Sequence, residues 1–216
     1  MKIRLHFWLA VLTPLLFAGC YPKGAEYTDD LNLVYTNYSS DFDFSTKHTY
    51  AIPDSVVKIT GDVFNDPDGD GKPQFVSATY STAILNAVKT NMGNYGWTRV
   101  DKNANPDVVL LVSAMTTTNI YYYYDWYYWD WWYPGWSPWW GWYYPGWYYP
   151  SYVTGYRSGS VFVQMVDSKN AAAAENVSVV WNSIMNGLAE GGTADITSRI
   201  NTTVNQAFAQ SSYLKH

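Results

Sequence analysis

The sequence predicts a single α+β domain, a mainly antiparallel sheet of four to five strands with two helices packed on one face. Three observations carry it. Residues 80–92 and 196–208 repeat apolar side chains every four positions, the helical period. Several short stretches rich in Val, Ile, Phe and Tyr, bounded by Pro, Gly, Asn or Asp, read as strands. Those strands follow one another with few helices between them, which favours antiparallel pairing.

Taken in order, "FDFSTKHTYAI" mixes β-branched and aromatic residues up to Pro53 and should contain a strand, which "DSVVKITGDVF" extends or pairs with. A polar loop, "NDPDGDGKP", follows at residues 65–73. In the first helix Tyr80, Ile84, Val88 and Met92 form the stripe, and Gly93 stands where a left-handed cap would go. "YGWTRV" is a short strand. "VVLLVSAMTTTNI" opens on five consecutive apolar residues, as a central strand covered on at least one face does. "GSVFVQMVD" alternates, and "NVSVVWNSIMNG" is expected to put Val177, Val179, Trp181 and Met185 on one face. Thr193 is a candidate N-cap for the closing helix, whose stripe is Ile196, Ile200, Val204 and Phe208.

The ends set the compartment. Lys2 and Arg4 precede an apolar run from Leu5 to Ala18, too short for the ~20 residues of a spanning helix and ending on small residues. Residues 1–19 therefore read as a signal peptide. Ala18 and Gly19 directly before Cys20 resemble a bacterial lipobox, in which the cysteine becomes the lipid-modified first residue. Cys20 is the chain's one cysteine, and acylation would remove the liability of a lone exported thiol. Residues 20–40 lack periodicity and read as a tether, leaving 41–213 as the domain. Without residues 1–19, eleven basic residues face eighteen acidic ones, a net charge of −7. That balance argues against nucleic acid as a partner. The expected location is the cell envelope, lipid-anchored at the outer membrane and facing the periplasm.

Between the middle strands stands an insert, residues 119–157, in which twenty of the thirty positions 121–150 are Tyr or Trp. Pro134, Pro138, Pro145 and Pro150 interrupt it, Leu, Ile and Val are nearly absent, and each ring carries a polar handle, so it is expected to lie outside the core. Replacing it with a short turn should then leave a folded domain. Pro, Gly and two Asp deny it a spanning helix. Trp136, Trp139, Trp140, Trp142 and Trp147 are the candidate contact surface, for a membrane interface, an envelope protein or a second copy. A glycan stacked on the rings is the alternative, and an insert without a dedicated ligand the plainest reading.

"DFSTKHTYA", "NPDVVLLV" and "GSVFVQMVDSKN…VVWNSIMNG", followed by a terminal amphipathic helix, resemble the bacterial lipoproteins catalogued as domain of unknown function 4136. The resemblance spans about residues 40–210. It implies an α+β fold, an envelope location and a Tyr/Trp/Gly/Pro-rich insert between the middle strands, and it names no activity.

Nothing in the sequence nominates a catalyst. His48 is flanked by Lys47 and Thr49 on a strand, no GxSxG elbow or HExxH is present, and the glycines of "GDGK" at 69–72 lack phosphate-loop spacing. No cofactor is expected, with one candidate exception. Asp66, Asp68 and Asp70 followed by Gly71 match the first half of a calcium loop, but Ser77 stands where its bidentate Glu belongs. A solvated turn is the plainer reading.

Overall fold

The computed structural model describes residues 34–60, 66–115, 129, 131–133, 141–143, 159–171, 176–186, 188 and 193–216, with 141–143 and 193–195 described by their backbone alone. The elements are β1 (Val34–Tyr38), β2 (Thr49–Ala51), β3 (Val57–Ile59), α1 (Ala78–Asn94), β4 (Thr98–Arg99), β5 (Val108–Met115), β6 (Gly141–Tyr143), β7 (Val161–Asp167), β8 (Asn176–Met185) and α2 (Thr193–Ala209). Both helices and the three longest strands, β5, β7 and β8, stand where the sequence pattern put them.

Among these residues seven strands make one mixed sheet, ordered β1, β8, β7, β5, β2, β4, with β3 following β2 along the same edge of β5. The short β6 pairs in parallel with the start of β8. The expected sheet, mainly antiparallel with four to five strands, is therefore corrected. Antiparallel pairing holds for β5–β7, β7–β8 and β8–β1, whereas β2 and β3 run parallel to β5, and β4 to β2. The cause is α1. A helix between strands carries the chain back, so β4 enters in the same direction as β2. The parallel strands are two or three residues long, too short to show a period in sequence.

The N-terminal boundary moves as well. β1 lies inside the stretch 20–40 read as a tether, because an edge strand that is only half-buried carries a weak apolar signal.

Every residue of β5 and β7 is buried, so the sheet is covered on both faces. On one face Leu110, Val112, Val163, Met165 and Trp181 meet both expected helix stripes, Ile84–Val88–Met92 of α1 and Ile196–Ile200–Val204–Phe208 of α2. Asn91 Nδ2 donates to Asn205 Oδ1 at 2.8 Å and ties the helices together. The other face presents Val57, Ile59, Val109, Leu111, Met115, Phe162, Val166 and Ile184.

Two local expectations change. Met165 pairs with Trp181 but Val166 with Val179, so Val180 is an extra residue in β8. This bulge reverses the alternation. Val177 and Val179 point to one face, and Trp181 and Met185 to the other. The left-handed residue after α1 is Gly96 (φ +91°), not Gly93, through which the helix continues. A Cβ on Gly96 would come within 2.9 Å of His216 Cβ, so both conformation and space require glycine there.

Candidate functional site

On the second face of the sheet, residues 129 and 131–133 of the aromatic insert pack onto the apolar cluster. Trp129 is 0% exposed and packs into the cluster with Val109, Leu111 and Phe162, and Trp131, Trp132 and Tyr133 pack half-buried around it. The expectation that the insert lies outside the core is thus corrected for this segment. The two amides of Trp132 and Tyr133 both donate to the Trp129 carbonyl at 3.0 Å, closing a tight turn. Lys102, from the β4–β5 loop, donates to the Trp132 carbonyl and holds its ammonium 5.7 Å from that ring's centroid. Burial pushes the Tyr133 phenol above its ordinary pKa. The surface beneath is itself partly polar: Gln164 and Asn182 are neighbours across β7 and β8 on this face, 3% and 2% exposed.

One signal for this arrangement was present. The unbroken apolar run of β5 requires a cover on each of its faces, and two helices on one side leave the insert as the remaining large apolar segment. Missing from sequence were the partners, Lys102 and Phe75.

Phe75 joins the insert to the Asp-rich loop. Its ring, 37% exposed, meets Trp131 edge-on at a centroid distance of 5.1 Å. The same ring walls a cleft of about 490 Å³ lined by Pro67, Asp68, Asp70, Lys72, Pro73 and Gln74. The structure thus brings together two motifs that are far apart in sequence. Within the loop, Asp66 accepts hydrogen bonds from the amides of Asp70 (3.2 Å) and Gly71 (2.9 Å), while Asp70 accepts from the Lys72 amide and pairs with its ammonium at 3.4 Å. Gly69 and Gly71 supply the positive φ angles of the turn. Asp66, Asp68 and Asp70 do not form a group that could hold a metal ion, nor does any other set of three His, Cys, Asp or Glu among the described residues. The hydrogen bonds are those of an acid-capped turn.

Cys20, Trp136, Trp139, Trp140 and Trp147 lie outside the described residues. Trp142 falls in β6, where only the backbone is described, opposite Val177.

The acidic residues of the motifs quoted above act as staples. Asp107, after the Asn105–Pro106 turn, accepts from the amides of His48 and Thr49 (3.0 Å each) and from Thr49 Oγ1 (2.8 Å), fixing β5 to β2. Burial alone would raise its pKa, but these bonds and Lys169, 3.9 Å away, outweigh it and hold the carboxyl below the usual value. Asp167, at the end of β7, accepts from the Lys169 amide (3.0 Å) and from Asn170 Nδ2 (2.6 Å), closing the turn towards β8. Trp181 donates from Nε1 to Ser211 Oγ at 2.8 Å, docking the end of α2 on the sheet.

The comparisons with known proteins agree with this architecture. The sequence model of the domain of unknown function DUF4136 matches residues 34–211. A crystal structure of a DUF4136 family protein from Bacteroides thetaiotaomicron VPI-5482 is 33% identical, superposes with a TM-score of 0.61, and aligns over 86% of this chain and 99% of that one. More distant similarity is found to a PDZ domain protein from Parabacteroides distasonis ATCC 8503 (14% identity, TM-score 0.44, 85% of this chain and 36% of that one). A PelC dodecamer from Paraburkholderia phytofirmans is similar at 12% identity and a TM-score of 0.36, over 85% and 99% of the two chains. No curated protein matches the chain. From the family match and the 33% identical relative together, this chain belongs to the DUF4136 family.

Proposed function

We propose that the protein is a non-enzymatic lipoprotein of the bacterial cell envelope, held at the outer membrane through acylated Cys20 and facing the periplasm. Its aromatic insert makes the contact with a membrane interface or an envelope protein. The observation that carries this reading is the burial of Trp129. The insert is rooted in the sheet there, and β6 is paired to β8 beyond it. Anchors on both sides of Trp136, Trp139 and Trp140 reduce the ordering entropy that a partner would otherwise have to offset. The use of Asp107 and Asp167 as acceptors from backbone amides supports a structural rather than a catalytic role for these two carboxylates.

The test uses a Cys20→Ser protein, which lacks the acyl chains. It should bind liposomes or self-associate, and the association should survive high salt because the Tyr/Trp block at 121–150 carries no positive charge. Replacing Trp136, Trp139, Trp140, Trp142 and Trp147 with Ser should reduce that association at least about tenfold, since each buried Trp contributes on the order of 1 kcal/mol or more. The melting temperature should stay nearly unchanged. Equal association by parent and variant would show that these residues make no contact.

A glycan-binding reading is favoured by a different feature, the cleft beside Phe75. An exposed ring with Asp68, Lys72 and Gln74 at its rim offers a stacking face together with acceptors and donors for hydroxyls. Soluble peptidoglycan fragments should then perturb the amides of residues 67–75 in an NMR titration, and Phe75→Ala should abolish the perturbation. Unshifted amides at millimolar ligand would remove this reading.

A further inference from the structure

His48 and His216 stand at opposite ends of the folded sequence, yet their ring centroids are 4.7 Å apart at an interplanar angle of 56°. The geometry points to a two-imidazole site for a borderline divalent cation of the Zn²⁺, Ni²⁺ or Cu²⁺ class. The spacing fits a shared ion. With metal–nitrogen bonds of about 2.0–2.1 Å, each imidazole centroid lies roughly 3.2 Å from the ion, and ligand angles of roughly 90–110° then separate two centroids by about 4.5–5.2 Å. The observed distance falls inside that range. Imidazole donors select this class of ion over Ca²⁺ and Mg²⁺, which prefer oxygen.

Both side chains are set in place by their backbones. The His48 amide donates to Asp107 Oδ2 at 3.0 Å, and its carbonyl accepts from the Thr98 amide at 2.8 Å. The His216 amide donates to the Tyr95 carbonyl at 2.9 Å, and its ring lies 4.9 Å from Trp97 and over Gly96, where a Cβ would displace it. Trp97 Nε1 donates to the Leu214 carbonyl at 2.7 Å, so the segment carrying His216 is docked rather than free. Both imidazoles are exposed, which gives a hydrated ion access and leaves its remaining positions to water. Lys47, next to His48, places its ammonium over the Phe42 ring at 5.6 Å. A bound ion would clamp the start of β2 to the C-terminal segment. This site is independent of the aromatic insert.

The chain contains three histidines and one cysteine, and His6 belongs to the segment read as a signal peptide. A processed, untagged Cys20→Ser protein therefore has His48 and His216 as its only imidazoles, and no thiol. Titration of that metal-free protein with ZnCl₂ and NiCl₂ in a calorimeter should give one ion per chain, a rise in melting temperature, and reversal by EDTA. His48→Ala and His216→Ala should each weaken binding at least about tenfold, as expected when a chelate loses one of two donors. His48→Gln, which keeps the bulk, should do the same while leaving the metal-free melting temperature unchanged, separating lost ligation from lost folding. In ¹H NMR the two imidazole signals should shift together with one shared affinity. Two independent affinities, two ions per chain, undiminished binding by the double alanine variant, or no binding at millimolar metal would each overturn the site.

Discussion

Trp129→Ala is expected to destabilise the domain by about 3–5 kcal/mol, the range for truncating a fully buried aromatic side chain. Against a total of about 5–15 kcal/mol this is a large fraction. At roughly 2–4 °C per kcal/mol for a domain of this size, the melting temperature should fall by roughly 6–20 °C. Trp129 is 0% exposed and belongs to one buried cluster with apolar residues of β3, β5, β7 and β8, so its removal leaves a cavity in that cluster. The same reasoning reverses the expectation for the insert as a whole. Replacing residues 121–156 with a short turn would uncover Val57, Ile59, Val109, Leu111 and Met115 at once and should abolish cooperative melting. Thermal denaturation followed by circular dichroism checks both. An unchanged melting temperature in Trp129→Ala would mean that the second face is sealed by something other than this ring. The contrast with the five-Ser variant is informative, because the insert then divides into a residue that holds the fold and residues available for contact.

The second large effect is expected at Asp107. Its carboxylate, 24% exposed, accepts from two amides and a hydroxyl of the β2 segment and faces Lys169. Hydrogen bonds to a charged group are each worth about 1.5–3 kcal/mol, and Asp107→Ala also strands two amide donors, so a loss of about 2–3 kcal/mol is expected after allowing for partial exposure. Asp107→Asn keeps one acceptor oxygen and should recover part of it. The pH dependence follows in sign. The folded pKa is depressed below the ordinary 3.8, so the ionised carboxylate's contribution is complete above that value and is lost as pH falls through the lower folded pKa. Urea midpoints measured from pH 6 downwards should fall below about pH 4 more steeply in the parent than in Asp107→Ala. Parallel profiles for the two proteins would show that Asp107 does not titrate with folding.

Much of this could be read directly from the chain. The two helix stripes depend on a four-residue period written into Ile84–Val88–Met92 and Ile196–Ile200–Val204–Phe208, and both proved to be core. The strands at 108–115, 161–167 and 176–185 are long enough for their apolar content to mark them. The family could be named from soft motifs, although why they contain Asp107 and Asp167 became clear only when their carboxylates were found closing backbone contacts. The short strands β2, β3 and β4 fall inside stretches expected to be strands, but their direction was not legible. Strands of two or three residues have no measurable period, and an extra residue at Val180 reverses alternation without altering composition.

Local periodicity and segment composition determined the helices, the long strands, the family and the position of the insert between β5 and β7, because each depends on residues near one another in the chain. Tertiary structure alone decided that β2, β3 and β4 run parallel to β5, that Trp129 belongs to a second core, that Phe75 meets Trp131, and that His48 meets His216. Those facts depend on which faces remain uncovered once the sheet has formed. A composition rich in Tyr and Trp serves equally well in a core or at a surface. The uncovered apolar face of β5 and β7, which must be shielded from water, selects the core for Trp129.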